Sequence, residues 1–167
     1  MSASEARYAQ ENGTWFIRLS GDIRHPLGPA LNGLLDRAFA APDTAGFLVD
    51  LSETENIDST CLGILARIAN WCVDREAAPP IIITTREDVT ETLRAVCFDR
   101  LFELRDRSPE DTAGLREITP PPSGTAQMSE LVLEAHRRLC AVDEQNKAVF
   151  QSVVEALERE TAARPEE

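Results

Sequence analysis

The chain is poor in several residue types that chemistry usually requires. It has two histidines, His25 and His136, far apart in sequence. Its four cysteines, Cys61, Cys72, Cys97 and Cys140, include no C-x-x-C pair. That spacing argues against a zinc cluster and predicts free, mostly buried thiols in a reducing compartment. Basic residues are also scarce, with 17 Lys and Arg against 29 Asp and Glu, a net charge of −12. A surface of that sign repels phosphate backbones and anionic lipid, so neither nucleic acid nor a membrane surface is an expected partner. No run approaches the roughly 18 continuous apolar residues of a membrane helix. The opening MSASEARYAQENG lacks the basic-then-apolar layout of a signal peptide, so a cytoplasmic protein is expected. A glycine-rich phosphate loop is missing as well.

What remains is an ordinary globular balance, 43% hydrophobic and 28% charged, in 167 residues. That is enough for one domain with a real core and an appendage. Thr14 to Ser20 alternates, with Trp15, Ile17 and Leu19 on one side and Phe16, Arg18 and Ser20 on the other. This predicts a strand, paired through an Asn12-Gly13 turn with a strand around Tyr8 to Gln10. Leu27, Leu31, Leu34, Leu35, Ala38 and Phe39 recur at helical spacing up to Ala41. Phe47 to Leu51 and Ile81 to Thr85 predict buried strands. From Asp58 to Asp74 a strong helix is expected, with Leu62, Leu65, Ala66, Ala69, Cys72 and Val73 on its buried side and Ile64, Ile68 and Trp71 widening it. A helix over Val89 to Phe98 and a short strand over Leu101 to Leu104 complete the pattern. Strands alternating with helices predict an α/β fold: a mixed, largely parallel sheet with the first hairpin antiparallel at one side.

Composition changes near Arg105. Residues 106–125 read as a linker stiffened at Pro120-Pro121-Pro122. Residues 126–162 read as a helical extension, either one long helix or two broken near Ala141 to Asp143. Its apolar stripe must be buried, by folding back on the core or by pairing with a partner. Folding back is favoured because it leaves no exposed stripe. Asn146 either specifies pairing in that seam or faces out at the break. Residues 163–167 are expected to be disordered.

One short stretch concentrates polar chemistry. Ile57-Asp58-Ser59-Thr60-Cys61-Leu62-Gly63 follows a strand and a polar loop, Ser52 to Asn56, and opens a helix. Asp58 suits the N-cap, which places two hydroxyls and a thiol in the first turn, over backbone N–H groups that have no intrahelical partner. As a nucleophile site it lacks the glycines of a strand–turn–helix elbow. The base that a serine or cysteine nucleophile requires could come only from His25 or His136, one in a proline-flanked loop and the other in the distal helix. No catalytic residue, cofactor or metal is therefore expected. Cys61 reads best as a small apolar residue packed under the turn, with Asp58 opposing a thiolate.

The order strand, loop, IDSTCLG, amphipathic helix, buried strand, then TETLRAVCFDRLFEL resembles the STAS domain of bacterial anti-sigma factor antagonists. Asp58, Ser59, Thr60, Leu62 and Gly63 fit the core motif of that family, while Cys61 stands where a glycine is usual. The resemblance covers about residues 7–105, within a domain set at 1–105. The helical tail resembles the C-terminal extension of some proteobacterial members. The resemblance implies a STAS fold and a binding switch in which Thr60 is phosphorylated, with Ser59 as the alternative acceptor. Glu55, Asn56, Asp58, Ser59, Thr60, Cys61 and Leu62 would then meet the partner. That partner would be an anti-sigma factor or a serine/threonine switch kinase, with a metal-dependent phosphatase, in relatives often fused to a response regulator, resetting the switch. Two other outcomes stay open: a STAS module sensing a nucleotide or other anion, and a homodimeric scaffold joined through the tail helix.

Overall fold

The computed structural model describes residues 3–107, 114–118 and 124–163. The first hairpin forms where turn chemistry places it. Asn12 and Gly13 both have positive φ, 53° and 83°, as a tight two-residue turn between right-twisted strands requires. Strand β1 (Glu5–Glu11) thereby lies antiparallel on β2 (Thr14–Ile23). Alternation along β2 then divides the faces. Trp15, Ile17 and Leu19 enter the main core, while Phe16 packs on the opposite face with Leu48 and Ile83.

Strands β3 (Gly46–Asp50), β5 (Ile81–Ile83) and β6 (Glu103–Arg105) continue from β2 in parallel, in the order β6-β5-β3-β2-β1-β7. The last of these, β7 (Arg116–Glu117), closes antiparallel on β1. Helices α1 (Gly28–Ala40), α2 (Ser59–Asp74) and α3 (Glu87–Ala95) contribute their buried residues to the main core. The architecture is thus the expected mixed α/β sheet with an antiparallel hairpin at one side.

Several local expectations are corrected. Ser52 to Asn56, expected as loop, supplies most of strand β4 (Thr54–Ile57), which pairs in parallel with the far end of β2. Val73 was expected on the buried face of α2 but is 70% exposed. Trp71 and Cys72 take the inward positions, and each further residue turns about 100° around the helix, which carries Val73 to solvent. Helix α3 stops at Ala95, short of Phe98, because Cys97 adopts left-handed backbone with φ 64°. The 3-10 turn that follows drops the Phe98 ring into the core, 5.1 Å from that of Phe102.

Of the expected linker, Pro120 to Pro122 lie outside the described residues, but β7 adds a short sheet strand between its ends. The expected disordered end falls largely on residues 164–167, also outside the described set. The helical extension comprises α4 (Thr125–Val142) and α5 (Glu144–Ala163), broken where Asp143 is extended. Asp143 Oδ1 accepts the Gln145 N–H at 2.9 Å, so the break is also a cap. The pair folds back, with α4 lying along α2 and α5 against α4.

Asn146 neither faces out nor waits for another chain. It is fully buried, and its Nδ2 donates to the Val96 carbonyl at 2.8 Å. With the ion pair Arg100–Asp143, it ties the start of α5 to the end of α3. Asn146→Ala strands that carbonyl and is expected to lower stability by about 1–3 kcal/mol in urea unfolding.

Candidate functional site at the capped first turn of α2

The site is built on β4. Gly21, with φ 86°, marks the register shift at which β2 leaves β3 and pairs with β4, Ile23 opposite Ile57. The Thr54 hydroxyl, fully buried, donates to the Leu19 carbonyl at 2.7 Å. Ile57 turns inward while Glu55 and Asn56 face solvent. The next N–H, that of Asp58, donates to the Ile23 carbonyl at 2.9 Å. The sheet itself therefore delivers Asp58 to the start of the helix.

Asp58 then caps as expected. Its Oδ1 accepts the Cys61 N–H at 2.9 Å, and its Oδ2 accepts the His25 N–H at 2.7 Å. One carboxylate thus joins the first turn of α2 to the 3-10 turn (His25–Leu27) ahead of α1. Asp58→Ala removes both bonds and is expected to cost about 1–2 kcal/mol, measured by thermal unfolding.

The residues of the motif separate by depth. Glu55 and Asn56 are exposed, and Asn56 Nδ2 donates to Asp22 Oδ1 at 3.4 Å. Asp58 and Ser59 are half-buried. Cys61 is fully buried and Leu62 belongs to the core, so their side chains lie beneath the turn. Burial first, and Asp58 second, push the Cys61 thiol well above its ordinary value, so it is no thiolate. Its Sγ instead lies 3.4 Å from the Arg24 carbonyl.

Glu53 and Glu55, before and within β4, are exposed acidic groups. Asp22 belongs with them, and its hydrogen bond from Arg24 holds its carboxyl below the usual range. Asp50, by contrast, is buried in the sheet and paired with Arg18 at 3.0 Å.

The extension reaches the same turn. Ser59 Oγ lies 2.8 Å from His136 Nε2, and His136 Nδ1 lies 2.7 Å from the Val132 carbonyl. A carbonyl only accepts, so Nδ1 carries a proton; in the neutral ring Nε2 then accepts from the Ser59 hydroxyl. The expectation that no base stands near the motif is thus corrected: a histidine from the distal helix is in hydrogen-bond range. Sequence spacing carried no signal for a contact across 77 positions. The pair sits one residue after Asp58, whose carboxylate takes the Cys61 N–H at 2.9 Å. The evident work of the pair is to hold α4 onto α2.

Thr60 is 5% exposed. An ideal Cβ at Gly28 of α1 would lie 3.0 Å from Leu131 Cδ2 of α4 and 4.0 Å from Thr60 Cγ2, which places all three at one crevice. One turn along α2, a Cβ at Gly63 would stand 2.7 Å from the Ala135 Cα and closer still to its carbonyl oxygen. Only glycine lets the two backbones approach so closely. Arg138 extends the contact, its guanidinium 3.4 Å from the Gly63 carbonyl.

Among the described residues no group of three or more His, Cys, Asp or Glu is placed to hold a metal ion, and no helix is long and apolar enough to cross a membrane.

No family model matches the sequence, and no curated protein matches it at a significant level. Solved structures do match. That of an anti-sigma factor antagonist from Mycobacterium paratuberculosis superposes with a TM-score of 0.52 over 63% of this chain and 87% of its own, at 18% identity. That of the anti-sigma factor antagonist SpoIIAA, in its unphosphorylated form, gives 0.52 over 64% and 90%, at 13% identity. The C-terminal helices are consistent with an extension beyond the part these structures share. At such identities the likeness is one of architecture: the chain has the fold of anti-sigma factor antagonists.

Proposed function

We propose that the chain is an anti-sigma factor antagonist working as a phosphorylation-controlled binding switch. One observation carries this: in a chain with that fold, Asp58 caps a helix whose first turn bears adjacent hydroxyls, Ser59 and Thr60, beside an acidic rim. Unphosphorylated, the turn and the exposed Glu55 and Asn56 dock on an anti-sigma factor or a serine/threonine switch kinase. Cys61 and Leu62 shape the turn from beneath. Thr60 is the first-ranked acceptor and Ser59 the second.

The energetics favour an off-switch. A phosphate adds about −1.5 to −2 charge at neutral pH. The helix N-terminus offsets on the order of 0.3–1 kcal/mol of this, and Asp58, Glu53 and Glu55 oppose it. Desolvating an unpaired dianion in an interface costs several kcal/mol, and each ~1.4 kcal/mol is tenfold in affinity. A metal-dependent phosphatase resets the turn.

The experiment is to incubate the chain with its kinase and ATP and to map phosphate by mass spectrometry. Phosphate is expected on Thr60, or on Ser59. Phosphate confined to other residues would count against the switch.

A further inference from the structure

We infer that α4 occupies, within the same chain, the docking surface of the α2 first turn, so that partner and kinase reach Thr60 only when the α4–α5 pair lifts away. This rests on the proposed function and adds its regulation. The contact has three separate parts. Ser59 is held by His136 at 2.8 Å. Thr60 retains 5% exposure, and Gly28, beside its Cγ2, is the position that Leu131 of α4 meets. Gly63 meets the Ala135 backbone so closely that no side chain fits between them. A second anchor, through Asn146 and the Arg100–Asp143 pair, lies at the end of α3 and can hold the hairpin by its bend while α4 moves.

A kinase must bring the acceptor hydroxyl in line with a nucleotide, which a threonine only 5% exposed, between two residues that α4 holds, cannot do. Three states follow. The closed chain hides the surface, the open unphosphorylated chain binds, and the phosphorylated chain is open but repels its partner. The α2 surface accordingly fits a helix with a small residue opposite Gly63, as Ala135 is in the chain itself.

The test uses the full chain carrying Thr60→Cys, alone and combined with Gly63→Ala or His136→Ala. Alkylation by N-ethylmaleimide is followed at each cysteine by mass spectrometry. Gly63→Ala favours helix formation in α2, so any opening it causes arises from the clash with α4. His136→Ala acts from the other side and leaves the sheet and α2 untouched. Cys72, in the core and 2% exposed, reports global unfolding.

Position 60 is expected to react slowly in Thr60→Cys and about tenfold faster in each double variant, the population change given by ~1.4 kcal/mol, with Cys72 unchanged. Fast labelling in Thr60→Cys alone, equal rates at position 60 in all three chains, or equal acceleration at Cys72 would overturn the inference. The kinase assay, run on wild type and Gly63→Ala, then separates this inference from the function beneath it. Faster phosphorylation of Gly63→Ala supports both. Equal phosphorylation of the two chains overturns the cover, whereas labelling that opens with no phosphate on either hydroxyl sustains the cover and removes the switch.

Discussion

Thr60→Glu is expected to weaken binding of the proposed anti-sigma partner by at least about 100-fold, or ~2.7 kcal/mol, in titration calorimetry. The substitution puts a carboxylate where the hydroxyl now lies almost fully covered, next to Asp58 and within an acidic neighbourhood. Two effects then compete. A charge at that buried position disfavours the closed arrangement, which under the inferred cover makes the surface available. The same charge must also be desolvated in the complex without a partner, a cost of several kcal/mol that outweighs the gain from opening. Thr60→Val keeps the shape, adds no charge and is expected to bind like the wild type. Glutamate at position 60 binding more tightly than threonine would sink the charge switch and leave only the cover.

Trp71→Ala should produce the largest loss of stability, about 3–5 kcal/mol in urea unfolding. The indole of Trp71 stacks on Phe39 with centroids 5.8 Å apart and meets the edge of Phe47 at 5.4 Å. Arg75 lies 4.5 Å above the Trp71 ring and Arg67 5.1 Å above Phe39. Arg67 also reaches back to α1, bonding Asn32 and Asp36 at 2.5 and 2.7 Å. The cluster thus joins α1, β3 and α2, and alanine would empty its centre. Against a typical total of about 5–15 kcal/mol, that loss leaves a marginal fold. The indole N–H is buried without a partner among the described residues. Trp71→Phe keeps the aromatic packing and drops that donor, so it is expected to stay within about 1 kcal/mol of wild type, which distinguishes ring packing from the polar group.

What the residues themselves disclosed was local. The Asn12-Gly13 turn follows from which residues accept positive φ. The faces of β2 follow from alternation, and the start of α2 from a carboxylate three positions ahead of an N–H in need of a partner. Each is a short-range constraint, written within a few residues. The strand β4 was not legible, because Thr54-Glu55-Asn56-Ile57 has only two inward positions and its pairing is supplied by a bend in β2 at Gly21. Nor was the burial of Asn146, whose bond to the Val96 carbonyl spans 50 positions.

The same division runs through the site. Sequence by itself determined that hydroxyls sit on a capped helix start in an acidic chain, since capping and charge are local and additive. Only the tertiary structure decided that His136 meets Ser59, that Thr60 is covered, and that Gly63 exists for the approach of Ala135. Those contacts arise from packing one distant helix on another. Periodicity shows that such a helix has an apolar face; it carries no record of which surface that face will cover.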